Sequence, residues 1–182
     1  MDRTSGYVLR PRLYTGDTVP PDALEDMSRF RNNGTFTNTP VWARQISGIW
    51  TLGFVGASSQ RVTHGNCRIA RTLFFWVNLS TTTQSILEET AAVGIVVAAG
   101  TIAYASWDNC YVNAVDTNTI AIGWRFVAIV STTDVIVSAF RLGLVNVTYF
   151  TGALWNVRLT RQELTADQIY SIYQSERGWL GV

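Results

Sequence analysis

The sequence predicts an all-β chain: an antiparallel β-sandwich with one short C-terminal helix. Three observations carry this. Short runs rich in Val, Ile, Thr and aromatic residues, about a dozen in all, follow one another with turn residues roughly every 8–12 positions. The run 71–79 is apolar on both alternating faces, with Phe74 and Trp76 on one and Leu73, Phe75 and Val77 on the other, as in a central strand covered on both sides. Convincing helical periodicity appears only at 165–176, where Ile169, Ile172 and Tyr173 repeat at i, i+3, i+4.

The elements read as follows. Residues 6–14 form a strand, and Pro11 gives it an edge position because proline cannot donate to a ladder. Residues 15–22, with Gly16, Pro20 and Pro21, are loop, and 26–39 is a long Asn-rich loop with at most one short strand. Strands 41–46 and 49–55 are broken at Ser47-Gly48, and 61–64 is a short strand. Strands at 71–79, 84–89, 93–99, 102–106 and 111–115 follow at hairpin spacings, with Gly100-Thr101 as a tight turn. Strands 119–131, 135–140 and 144–150 lead to a last strand carried by Leu154, Trp155, Val157 and Leu159. Thr165 is a good N-cap, Gln168 completes a capping box, and Leu164 and Ile169 have hydrophobic-staple spacing. The helix is expected over 166–176, with Gly178 as its stop. There is no repeat, low-complexity tract or linker, so 1–182 is expected to be a single domain with residues 1–20 as an N-terminal strand or arm.

Composition excludes several function classes. With 14 Lys+Arg against 13 Asp+Glu the net charge is +1, so no basic excess points to nucleic acid; all the basic residues are Arg. Only 15% of residues are charged, against roughly 25% in ordinary soluble domains. Either two large buried sheets dominate the chain, or neighbouring molecules cover part of its surface. The longest charge-free apolar run, 91–106, is too short for a membrane helix and is interrupted by Gly94 and Gly100, so no membrane insertion is expected. The N-terminus lacks the apolar core of a signal peptide. Cys67 and Cys110 are either a disulfide or two buried small hydrophobes, and the second is expected. With His64 the only histidine, a Cys/His zinc site lacks ligands.

Several pieces stand in an order that resembles the concanavalin A-like superfamily, and within it the laminin-G-like domains. They are Asp26-Met27-Ser28 with Asn32-Asn33-Gly34-Thr35; Leu52-Gly53-Phe54-Val55-Gly56 with Gln60-Arg61-Val62; 72–78; Gly123 to Ala128 around Trp124; and Phe150-x-Gly152, Arg158, Arg161, Leu164-Thr165-Ala166-Asp167 and Tyr173. The resemblance implies a jelly-roll sandwich over most of 24–173. The segment 134–150 departs from it: the family's Asn-Gly is absent and a hairpin on the sandwich edge is expected to be shortened.

That fold hosts many activities. Its glucan-cleaving enzymes resemble one another in a Glu-x-Asp-x-x-Glu strand, which sets alternate carboxylates on one face. No such run is present; Glu88 and Glu89 are adjacent, and Asp108, Asp116 and Asp134 stand singly as turn and cap residues. No nucleophile elbow, phosphate loop or dinucleotide fingerprint occurs. The chain is therefore expected not to be an enzyme. Calcium is the ion the resemblance implies, with Asp26, Asn32 and Asn33 as candidate ligands; no other cofactor is expected. Tyr104, Trp107, Asp108, Asn109, Tyr111 and Asn113 cluster around one turn. They form a candidate carbohydrate-binding surface if Trp107 is exposed, and an ordinary core or assembly contact if it folds back.

Two functional expectations follow. The first is a non-catalytic virion structural protein, a bacteriophage capsid decoration, fibre or tail adhesion module, at the virion surface with other virion subunits or its own copies as partners. The second is a stand-alone lectin-like protein acting outside cells on a glycan. A glycoside hydrolase with an unrecognised site is a distant third.

Overall fold

The computed structural model describes residues 6–182. Residues 1–5, including Arg3 of the expected N-terminal arm, lie outside the described residues. Along the chain come β1 (Tyr7–Leu9), β2 (Ala23–Leu24), β3 (Gly34–Thr37), β4 (Val41–Arg44), β5 (Trp50–Phe54) and β6 (Arg61–Gly65). Then come β7 (Arg68–Leu79), β8 (Gln84–Thr90), β9 (Val93–Ala98), β10 (Thr101–Ala103), β11 (Asn109–Val112) and β12 (Val115–Asp116). The long β13 (Gly123–Val137), β14 (Phe140–Leu142), β15 (Leu144–Val145), β16 (Thr148–Tyr149) and β17 (Gly152–Thr160) precede the helix α1 (Ala166–Leu180).

Two antiparallel sheets form the sandwich. The first runs β12-β11-β13-β7-β17-β5-β4, with β1 alongside β17; the second runs β10-β9-β8-β14-β6-β3-β2. Strand β7 is central, between β13 and β17, and its period of two divides its side chains as the sequence predicts. Leu73, Phe75, Val77 and Leu79 point inward and join Val62, Ile86, Leu87, Ile95, Phe140 and Leu142 of the second sheet in the main core. Phe74 and Trp76 point outward into a second cluster with Phe126, Trp155 and Ile169.

The helix exists to cover that outer face. Both capping-box bonds form: the Gln168 amide donates to the Thr165 hydroxyl and the Thr165 amide donates to Gln168 Oε1. Ile169 is fully buried, worth about 1.5–3 kcal/mol, and Tyr173 stacks on Trp76 with centroids 5.8 Å apart. Glu176 fixes the helix to the sheet: it accepts from Trp76 Nε1 at 2.9 Å, Asn156 Nδ2 at 3.0 Å and Arg158 Nη2 at 2.8 Å. Arg158 in turn lies 4.1 Å from the Phe74 ring centroid, so its positive charge has both an anion and a ring face.

Three expectations need correcting. The helix passes through Gly178 and stops at Gly181, whose left-handed φ of +71° lets its amide bond back to the Arg177 carbonyl. The strands expected at 119–131 and 135–140 are one strand, β13, with a bulge between Val130 and Val135; Asp134, expected at a turn, lies in it and pairs with Arg71. The strand expected at 144–150 is instead the small hairpin β15-β16, laid over the second sheet beside β8. Gly143 makes that turn possible at φ +83°, and a Cβ there would meet Phe54 Cε1 at 2.7 Å.

Candidate functional site

The residues expected to hold sugar do not form one surface. Trp107 is buried and faces inward; its Nε1 donates to Glu89 Oε1 at 2.6 Å. Tyr104 packs against the same inner core, whereas Tyr111, one residue from the inward Cys110, lies on the opposite face of the sheet. Asp108 accepts from the Thr132 amide and hydroxyl at 2.8 Å and from the Ser131 hydroxyl at 3.1 Å, which ties the β13 bulge and holds its carboxyl below the usual range. Asn109 starts β11 opposite Val130. Asn113 adopts φ +51° and accepts the Phe126 amide, a turn residue closing β11 onto β13. An exposed aromatic plate is therefore absent at this turn, because a buried acceptor on β8 draws the indole inward.

Asp26, Asn32 and Asn33 do come together, but as a hydrogen-bonded knot. Asp26 is fully buried; Oδ1 accepts the Arg10 and Ser28 amides, and Oδ2 accepts the Ser28 hydroxyl and the Asn32 amide. Asn33 Oδ1 accepts the Asp26 amide, and Asn32 Nδ2 donates to the Val8 carbonyl. N–H and O–H donors aimed at the carboxylate occupy the lone pairs a cation needs, so the residues do not fit calcium. Among the described residues no group of three His, Cys, Asp or Glu side chains could hold a metal. His64 closes the knot from the second sheet, with Nδ1 2.7 Å from the Asn32 carbonyl and Nε2 buried without a partner. Burial pushes its pKa below 6.5.

Among the described residues, one end of the first sheet remains open. The segment just after β2 is tied by backbone bonds to residues 10–12, through Glu25 and Met27, and β10 is bonded to residues 118–120. Strand β12 has only two residues. Strand β4, four residues long, ends the eight-stranded sheet with Val41, Ala43 and Arg44 exposed. It leads to Ile46, fully exposed at the tip of the β4–β5 turn. Ser47 Oγ donates to the Trp179 carbonyl, which brings the half-exposed Trp179 beside Ile46 around an open hollow of about 370 Å³. An unpaired strand edge running into an exposed Ile and Trp is a surface suited to another chain. The sequence shows Ile46 and Trp179 only as apolar residues 133 positions apart; their proximity depends on the helix docking across the sheet.

No family matches the chain by sequence, and no curated relative is found. Among solved structures it is similar to the crystal structure of the HCR/D F1240A mutant, with a TM-score of 0.51 at 10% identity, over 94% of this chain and 52% of that one. The chain thus spans about half the length of that structure, and at this identity the likeness concerns the fold. The chain is an all-β sandwich of two antiparallel sheets with a C-terminal helix.

Proposed function

We propose that this chain is a non-catalytic assembly module on a concanavalin A-like, laminin-G-like sandwich, and specifically a virion structural protein: a bacteriophage capsid decoration, fibre or tail adhesion subunit. The observation that carries the reading is the open edge of β4 running into Ile46 and Trp179. Low charge supports it, since only 15% of residues are charged and none is Lys, and on β4 itself the single charge is Arg44, already paired with Asp17. Antiparallel pairing of β4 with a copy of itself, or with a strand of a neighbouring subunit, would continue the sheet and cover both apolar side chains. Sedimentation of the purified chain, with electron microscopy of particles from the source, tests this. Self-association at high micromolar concentration, weakened by Ile46→Asp, or decoration of a particle, is expected. A monodisperse monomer with affinity for no particle or partner removes the reading.

A second reading, glycan binding, draws support from the outer face of the second sheet. Thr35, Thr63 and Arg141 stand in register across β3, β6 and β14, and Arg61 holds the Tyr149 hydroxyl at 3.2 Å. Hydroxyls and guanidinium groups on one face suit sugar hydroxyls. Binding to a glycan array that Thr63→Val abolishes would favour it over assembly.

A further inference from the structure

Three arginines far apart in sequence meet at one ring. The guanidinium carbons of Arg29, Arg68 and Arg161 lie 4.7, 5.2 and 5.6 Å from the Phe30 centroid. No two of them can therefore be more than about 11 Å apart, comparable with the screening length of about 8–10 Å at physiological salt. All three residues are exposed, and none makes a salt bridge among the described residues, whereas Arg12, Arg44, Arg71, Arg141 and Arg158 each have a carboxylate. Phe30 packs one side on the main core and leaves the rest to the cations. Arg68 is held in a left-handed backbone, φ +69°, with its amide donating to Asn66 Oδ1.

We propose that this cluster is a docking site for an acidic, partly apolar peptide segment of a partner protein. Guanidinium forks match carboxylates bidentately, and three around one ring offer a compact set rather than a track. Nucleic-acid affinity at physiological salt needs more phosphate contacts than three arginines supply. Exposed apolar residues are near in chain and register: Met27 stands two positions before Arg29, and Ile136 pairs with Ile69 next to Arg68. Arginine and aromatic anchors with apolar neighbours are the composition of protein interfaces. The proposal goes beyond assembly through β4 and rests on other residues.

The test is fluorescence anisotropy with a labelled peptide alternating Glu and Leu, a Gln-for-Glu version, a sulfated polysaccharide and a single-stranded oligonucleotide. The Glu peptide is expected to bind the full chain, with the Gln version and the triple variant R29Q/R68Q/R161Q each binding at least about tenfold more weakly, as loss of charged hydrogen bonds implies. Circular dichroism confirms that the triple variant stays folded; if it does not, Arg161→Gln alone should weaken the peptide about threefold. Equal binding of the Glu and Gln peptides, undiminished binding by the folded variant, or tighter binding of the polysaccharide or oligonucleotide overturns the proposal. Because β4 is intact in these variants, peptide capture by that edge would survive them and be recognised as such.

Discussion

Glu89→Gln should change how the stability of this chain depends on pH. The Glu89 side chain is buried on β8, and that burial pushes its pKa from an ordinary 4.5 to about 7, against the opposing hydrogen bonds from Trp107 and Ser106. The folded state therefore holds a proton between these values that the unfolded chain has released. Stability falls as pH rises across that window and levels off above it. At about 1.4 kcal/mol per pH unit the loss is on the order of 3 kcal/mol. Gln keeps an oxygen for Trp107 Nε1 and cannot ionise. The difference in unfolding free energy, wild type minus Glu89→Gln, should thus drop by about 3 kcal/mol between pH 4.5 and 8, measured by urea titration with far-ultraviolet circular dichroism. Taking the difference removes every other titrating group. A difference that stays flat to within 0.5 kcal/mol or so would refute the argument that the carboxyl is held neutral by burial.

Three further outcomes are expected. Glu176→Ala strands Arg158 and the Trp76 indole N–H together and should cost about 3–5 kcal/mol in urea unfolding; a cost below about 1 kcal/mol would mean the helix is held by its apolar face alone. His64, the single histidine, should titrate below 6.5 in a proton NMR experiment, because burial disfavours its charged form. Its contribution to stability is then complete above 6.5 and lost as pH falls below it, and a midpoint at or above 6.5 contradicts the buried site. Cys67 and Cys110 are free and buried, with their pKa pushed up to about 12, so a thiol reagent should find neither in the native chain and both after denaturation.

Local chemistry was legible and long-range contacts were not. The two-faced reading of β7 holds because alternation on a strand is a property of the backbone, and the Thr165–Gln168 cap lies within four residues. The bulge in β13 escaped because Ser-Thr-Thr-Asp reads as a turn; what keeps it extended is Asp108, more than twenty residues away. Trp107 beside Asp108 and Asn109 reads either as an exposed plate or as folded back, and what decides for the second is an acceptor 18 residues upstream on another sheet. Low charge is legible in the sequence, but which sheet edge stays open depends on segments such as 118–120 that pair only after folding.

The arrangement also limits where a partner can bind. The first sheet has the core on one face and α1 on much of the other, so its broad surfaces are largely spent. The second sheet loses part of its outer face to the β15–β16 hairpin, where Asn146 donates its amide to the buried Glu88 and Arg141 pairs with the same carboxylate. Glu88 is thereby committed to holding that hairpin down, an internal role for the one carboxylate that a hydrolytic reading would have looked to on this face. Among the described residues the surfaces left over include the β4 edge, the Thr35–Thr63 pair and the arginines around Phe30. The first two lie at an end of one sheet and across the face of the other, and the third joins the loop before β3 to the ends of β7 and β17. Separate surfaces of this kind leave room for more than one neighbour at once, which the proposed assembly role requires and a single ligand pocket does not provide.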